Sequence, residues 1–191
     1  WEGRISRDVG LHIWGTMKVE EFHFGARSGG MGQVLLIGAS GGIGSALAAG
    51  FVARGYGVHG LSRSVDGFDI TDPASVEAHL AGRGHYARIV VATGALEIGG
   101  AVPEKTIKAV SRDAMMDQFA LNAVGPALDL SRVAGLLDRD APSVVAVLSA
   151  RVGSIGDNRI GGWISYRAAK AAVNQIVRTS AIELGRTHKH A

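Results

Sequence analysis

Tyr166 and Lys170 stand four residues apart in the stretch WISYRAAKAAVNQ, residues 163–175. On a helix, residues at that spacing share a face. A tyrosine hydroxyl so placed can exchange a proton with a substrate, but a free phenol titrates near ~10, too high for a base at neutral pH. A neighbouring ammonium stabilises the phenolate and lowers that value. Taken alone, the pair is also what an unremarkable amphipathic helix carries, so the rest of the chain decides its meaning.

A second group of chemistry-bearing residues lies in IGASGGIGSALA, residues 37–48, where Gly38, Gly42 and Gly44 are spaced four and two apart. Glycine permits a tight turn and lets backbone approach a diphosphate. The helix that follows offers unpaired N–H groups and the positive end of its dipole. The competing reading is a turn that merely packs a helix on a strand. The strand–turn–helix context points instead to dinucleotide binding. Which dinucleotide depends on the end of the second strand. An acid there holds the ribose hydroxyls of NAD, and an arginine suits the extra phosphate of NADP. The strand ends GLSRS, with Arg63 at that place and the nearest acid, Asp66, further along. A guanidinium fork matches a phosphate. That favours NADP, with NAD still possible and a solvated surface arginine as the alternative.

These residues need elements to hold them. QVLLIG (33–38), GVHGLS (57–62), ARIVVATG (87–94) and PSVVAVLS (142–149) are short apolar runs that read as buried strands. GIGSALAAGFVARG (42–55) reads as a helix built of small residues, with Gly55 past its end. In DPASVEAHLAG (72–82), Asp72 is the N-cap, Pro73 the first helical residue and Gly82 the stop. Residues 111–140 carry apolar residues at helical spacing, with a bend expected near Asn122, Gly125 and Pro126. Residues 164–186 form a long amphipathic helix carrying the Tyr–Lys pair. Strands alternating with helices predict an α/β doubly wound parallel sheet, covered on both faces and joined by right-handed crossovers.

Composition removes other classes. A chain of 191 residues with 47% hydrophobic and 19% charged residues suits one packed domain and argues against disorder. With no cysteine there is no disulfide, thiolate metal site or cysteine nucleophile. The seven histidines are scattered, so no metal site is expected. A net charge of +3 without a basic stripe argues against nucleic acid. No apolar run reaches the length of a membrane span. No signal peptide is legible in the first 30 residues, and the default location is cytoplasmic. Residues 1–30 show no sustained period and end in SGG. They read as a weakly ordered extension, with Met31 opening a domain over 31–191.

Over residues 33–187 the chain resembles a short-chain dehydrogenase/reductase, with five motifs in the family's order. GASGGIG matches the cofactor turn, FDITD (68–72) the adenine-contacting segment and ATG (92–94) the family's Asn-Ala-Gly. LNAVGP (121–126) bears the helix-kinking asparagine, and YRAAK the Tyr-x-x-x-Lys pair. GSIGDN…GGW (153–163) further resembles the C-factor-like branch. The resemblance implies a Rossmann fold. It implies cofactor contacts from Gly38, Ser40, Gly42, Ile43, Gly44, Arg63, Asp69, Ile70, Ala92, Thr93 and Gly94, with Tyr166 and Lys170 at the nicotinamide end. Tyr166 is then the general acid/base. Lys170 tunes it and holds the nicotinamide ribose, and the Asn122 carbonyl orients a water in a proton relay. The reaction implied is hydride transfer from NADPH to a small-molecule carbonyl, or the reverse from an alcohol.

Three departures stand out. Aligning SARVGSI on Gly153 puts Ala150 where the family has its substrate-holding serine, and Ser149 one residue earlier. Neighbours on a strand face opposite sides, so Ser149 serves only if the strand end is bulged or the alignment slips, with Ser154 as a substitute. Ala92 replaces an asparagine that supports the sheet centre. Family members continue past the equivalent of Ala191 with a further strand, a Pro-Gly loop, a substrate-binding segment and a last strand, so the domain is expected to be incomplete at its C-terminus. A dinucleotide-binding regulatory protein without turnover is the rival reading, and a non-functional truncation product a third. The helices over 111–138 and 164–186, with Met115, Met116, Phe119, Val173 and Ile176 read as outer-face residues, predict a homodimer or homotetramer.

Overall fold

The computed structural model describes residues 32–191; the extension read over 1–30 and the start at Met31 lie outside the described residues. Four strands alternate with helices: β1 (Gln33–Ile37), α1 (Gly42–Ala53), β2 (Gly57–Leu61), α2 (Arg63–Asp66), α3 (Pro73–Leu80), β3 (Arg88–Val91), α4 (Arg112–Phe119), α5 (Gly125–Val133), β4 (Val144–Val147) and α6 (Ile164–Leu184). The sheet order is β2-β1-β3-β4, and every pairing is parallel. Ile37 pairs with Leu61 and with Val91, and Val91 with Val147, so the strands end level. The chain leaves β1 for β2 on one side, then crosses to β3 on the other. In such sheets the carboxyl ends at that reversal open a crevice for ligands.

Alternation along β1 feeds two cores. Leu35 and Ile37 pack with Val76, Leu80, Leu130, Val133, Val173 and Val177 from α3, α5 and α6. Val34 and Leu36 pack with Leu47 and Phe51 of α1, together with Tyr56 and Val90. Covering both faces is what continuous apolar strands require, and each fully buried leucine or isoleucine contributes about 2 kcal/mol. The expected doubly wound parallel sheet is therefore the observed one.

Local chemistry sets several boundaries. The Asp72 carboxylate accepts from Ala74 N–H at 3.0 Å and opens α3, with Pro73 in its first turn. Ser111 caps α4 through Ala114 N–H at 3.2 Å. β1 stops at Ile37, one residue short of the expected run, because Gly38 turns the chain at φ +88°. β3 and β4 are likewise shorter than the runs 87–94 and 142–149.

One element is new to the structure, and one expectation is corrected. The segment after β2 is a one-turn helix, α2, closed by the Asp66 carboxylate accepting from Ser62 N–H at 2.8 Å. Val173 is not on an outer face; it is completely buried, and Ile176 packs against the same core. Met116 does face solvent.

The bend expected near Asn122 is a π-helical turn, Ala120–Val124, between α4 and α5. A continuous α-helix would ask the Pro126 nitrogen to donate to the Asn122 carbonyl, and proline has no proton to give. One wider turn absorbs that missing bond. Among the described residues, no helix is long and apolar enough to cross a membrane.

Candidate functional site

The glycine turn after β1 is closed by backbone contact. Gly38 and Ala39 N–H both donate to Leu61 O, at 2.8 and 3.1 Å, and Gly41 N–H donates to Gly38 O at 3.2 Å. A Cβ on Gly44 would stand 2.0 Å from Gly38 O, and one on Gly38 would stand 2.9 Å from the Ala92 carbonyl carbon. Only glycine fits either place. α1 starts at Gly42 with no side chain capping it, so its first N–H groups are offered outward beside the exposed Ile43. Ser40 accepts from the Ser64 hydroxyl of α2 at 3.0 Å, tying the turn to the helix that carries Arg63. A negatively charged diphosphate matches this cradle, and the exposed Arg63 at its rim matches a further phosphate. The residues present therefore fit a dinucleotide.

Along the crevice, Asp69 and Ile70 follow α2. Asp69 Oδ1 accepts from Thr71 N–H at 2.9 Å and from the Thr71 hydroxyl at 2.7 Å. Those bonds hold its carboxyl below the usual range. The Ile70 side chain is core, packed against Gly125, which leaves its backbone as the part a ligand can meet. Ala92 N–H donates to Ile37 O at 2.7 Å, continuing the sheet into the crevice floor. The Thr93 hydroxyl is buried there without a partner among the described residues.

The next residue brings the chemistry together. Gly94 adopts φ +143°, and a Cβ there would stand 2.8 Å from Asn122 Oδ1 and 3.1 Å from Lys170 Nζ. Asn122 is wholly buried. Its Nδ2 donates to Ala95 O at 2.9 Å and to Gln118 Oε1 at 2.7 Å, while Oδ1 accepts from Ala95 N–H at 3.2 Å. Gln118, which sequence reading missed, also donates to Leu96 O at 2.7 Å. The π turn and α4 thus hold the loop after β3 in place.

Lys170 is buried, and its Nζ lies 5.7 Å from the centre of the Tyr166 ring and donates to Leu148 O at 3.3 Å. The pair therefore shares one face of α6, as its spacing predicts. Burial lowers the Lys170 pKa to about 8. Burial also raises the Tyr166 phenol above its ordinary value. Burial is thus what sets the Tyr166 phenol in the chain by itself, whereas the expected lowering rests on the ammonium together with the oxidised nicotinamide.

Ser149 is turned elsewhere. Its hydroxyl donates to the Lys170 backbone carbonyl at 3.5 Å, and the extended Ala150 that follows opens a 3₁₀ turn, Arg151–Gly153. Ser154 accepts from Asp157 N–H at 3.2 Å, within its own turn. Gly153 is a contact that sequence reading did not assign: a Cβ there would meet the Lys170 carbonyl at 2.8 Å, so only glycine lets this loop lie on α6. Among the described residues, no three His, Asp or Glu side chains gather to hold a metal.

No protein-family model matches the chain. It is 34% identical over 110 residues to 1-hydroxy-2-glutathionyl-2-methyl-3-butene dehydrogenase of Rhodococcus sp. (strain AD45), a match covering 58% of this chain and 47% of that protein. It is 37% identical over 70 residues to C-signal of Myxococcus xanthus, covering 37% of this chain and 42% of that protein. The chain thus spans less than half the length of these curated relatives. Among solved structures, a Burkholderia multivorans protein assigned as a short-chain alcohol dehydrogenase superposes with a TM-score of 0.70 at 33% identity, over 81% of this chain and 79% of that one. A short-chain dehydrogenase/reductase from the same organism, with bound NADP, gives 0.66 at 30% identity over 81% and 74%.

Proposed function

The chain belongs to the short-chain dehydrogenase/reductase family, and on that footing we propose that it is an oxidoreductase working between a nicotinamide cofactor, NADPH in preference to NADH, and a small-molecule carbonyl or alcohol. The observation that carries this reading is the convergence of Asn122 and Lys170 on Gly94, with the Lys170 ammonium beside the Tyr166 ring. When bound, the reduced dinucleotide supplies the hydride.

The chain's own residues do the rest. Gly38, Gly42 and Gly44 admit the diphosphate, and the first N–H groups of α1 meet its charge. Arg63 holds the further phosphate that separates NADPH from NADH. Tyr166 hydrogen-bonds the carbonyl oxygen and gives it a proton as negative charge develops there. The raised phenol pKa suits that direction, since the hydroxyl stays protonated at neutral pH. Lys170 remains largely cationic at pH 7, because its pKa of about 8 lies above that pH. Its positive charge stabilises the phenolate left behind. The Asn122 carbonyl, freed from an α-helical donor by Pro126, is the acceptor for a water that returns the proton. Association into a homodimer or homotetramer through α4 and α6 is part of this reading, and sedimentation velocity at micromolar concentration tests it.

The test is Tyr166→Phe, which keeps the ring and removes the hydroxyl. NADPH oxidation against a panel of aldehydes and ketones should fall by at least ~10²-fold, the low end for a general acid, with NADPH affinity little changed. Full activity in that variant would refute the assignment. Tight NADPH binding with no turnover in the unmutated chain would give the second reading, a dinucleotide-binding regulatory protein. The Ser149 hydroxyl, directed at the Lys170 carbonyl, is the observation that favours it.

A further inference from the structure

α6 begins without a capping side chain of its own. Gly161, Gly162 and Trp163 approach it at φ +71°, +67° and +52°, and Trp163 is the sole non-glycine with positive φ among the described residues. An indole has no acceptor for the N–H groups of the first turn, which an N-cap would otherwise satisfy. Glu104, from the loop between β3 and α4, takes that place. Its backbone carbonyl accepts from Trp163 N–H at 2.5 Å. Its Oε2 accepts from Ser165 N–H at 3.3 Å, and its Oε1 accepts from the Ser165 hydroxyl.

Both partners are buried, Glu104 at 8% and Ser165 at 1% exposure. Gly162 lies alongside, where a Cβ would be in ordinary van der Waals contact with Glu104 O at 3.4 Å. Burial opposes the Glu104 charge. Hydrogen bonds from the Ser165 hydroxyl and from the Glu104, Ser165 and Ile164 N–H groups outweigh it and hold the carboxyl below its usual range. The positive end of a helix favours a carboxylate in the same sense. Ser165 immediately precedes Tyr166.

We infer that Glu104 is a positioning residue for Tyr166: its carboxylate, supplied from a distant loop, fixes the first turn of α6 and with it the direction in which the phenol hydroxyl is presented. This role rests on Tyr166 being the proton donor proposed above.

Glu104→Ala, Glu104→Gln and Ser165→Ala, each in the full chain beside Tyr166→Phe, test it. Two readouts are needed: NADPH-dependent carbonyl reduction, and amide hydrogen exchange across residues 164–168 without cofactor. Displacing a reacting group by about an ångström costs ~10²-fold. Glu104→Ala should therefore lower kcat at least ~10-fold, leave KM for NADPH within about twofold, and speed exchange in the first turn at least ~10-fold. Glu104→Gln keeps an acceptor for Ser165 N–H and can donate its amide to the Ser165 oxygen. It should return kcat and exchange to within about threefold of the unmutated chain. Ser165→Ala removes one bond of the set and should give intermediate values, which keeps the test decisive if Glu104→Ala fails to fold.

First-turn exchange unchanged in both Glu104→Ala and Ser165→Ala overturns the cap. A kcat that stays low in Glu104→Gln while exchange is restored overturns the positioning role. Failure of the catalytic reading has a different signature: Tyr166→Phe keeps full activity while Glu104→Ala still loosens the first turn. Glu104 is then a helix cap and nothing more.

Discussion

Asp129 on α5 is completely buried, and among the described residues both its carboxylate oxygens lack a hydrogen-bond partner. With no cation beside it, burial alone raises its pKa to about 8, against about 3.9 in an unfolded chain. Between those values the folded protein holds a proton that the unfolded chain has released. Stability must then fall as pH rises, by ~1.4 kcal/mol per pH unit from this group, and level off above the folded pKa. From pH 5 to pH 8 the ceiling is ~4 kcal/mol. Relaxation and water entry around a buried carboxylate reduce that ceiling, and at least ~2 kcal/mol should survive.

Asp129→Asn keeps the shape and cannot ionise. Urea unfolding of both proteins across this range should show the variant gaining on the unmutated chain as pH rises, and every other titrating group cancels in the difference. Asp129→Leu, which removes the unpartnered oxygens altogether, should be the most stable of the three at pH 8. Stability curves for the unmutated chain and for Asp129→Asn that stay parallel from pH 5 to pH 8 would refute the reasoning, because they would mean that Asp129 is ionised and paired in the folded protein.

Three further outcomes follow from the site. Arg63→Ala should cost NADPH affinity at least ~10-fold, the scale of one charge-assisted hydrogen bond, and leave NADH affinity nearly unchanged in a fluorescence titration; equal loss for both would remove Arg63 from the phosphate. Gly94→Ala places a methyl group 2.8 Å from Asn122 Oδ1 at φ +143°, so it should lower both thermal stability and NADPH affinity, whereas unchanged values would mean that the loop after β3 yields easily. Ser149→Ala should reduce turnover less than ~10-fold, since its hydroxyl is directed at the Lys170 carbonyl; a loss of ~10²-fold or more would mean that Ser149 turns to the substrate.

What could be read along the chain were features whose causes lie within a few residues of one another. The strand–turn–helix at Gly38–Gly44 is set by the room a backbone turn leaves, and the start of α3 by Asp72 and Pro73. Lys170 meets the Tyr166 ring because helical spacing brings them to one face. The interruption at Asn122 was legible for the same reason: Pro126 lacks a proton four residues on. The apolar strands announced a sheet buried on both faces, and the family motifs placed the crevice.

Tertiary structure decided what depends on neighbours distant in sequence. Val173 and Ile176 look alike along α6, and only packing against the sheet shows which is sealed in the core. No local pattern says that Asp129 loses all its water, or that Ser149 turns toward the Lys170 carbonyl. Glu104 and Ser165 are 61 residues apart, and neither lies in a motif. Helical period and turn chemistry act over a few residues and are written in local order. Burial and long-range hydrogen bonds exist only once the sheet has brought the loops after β3 and β4 together, and those bonds join Glu104 to Ser165, the residue before Tyr166.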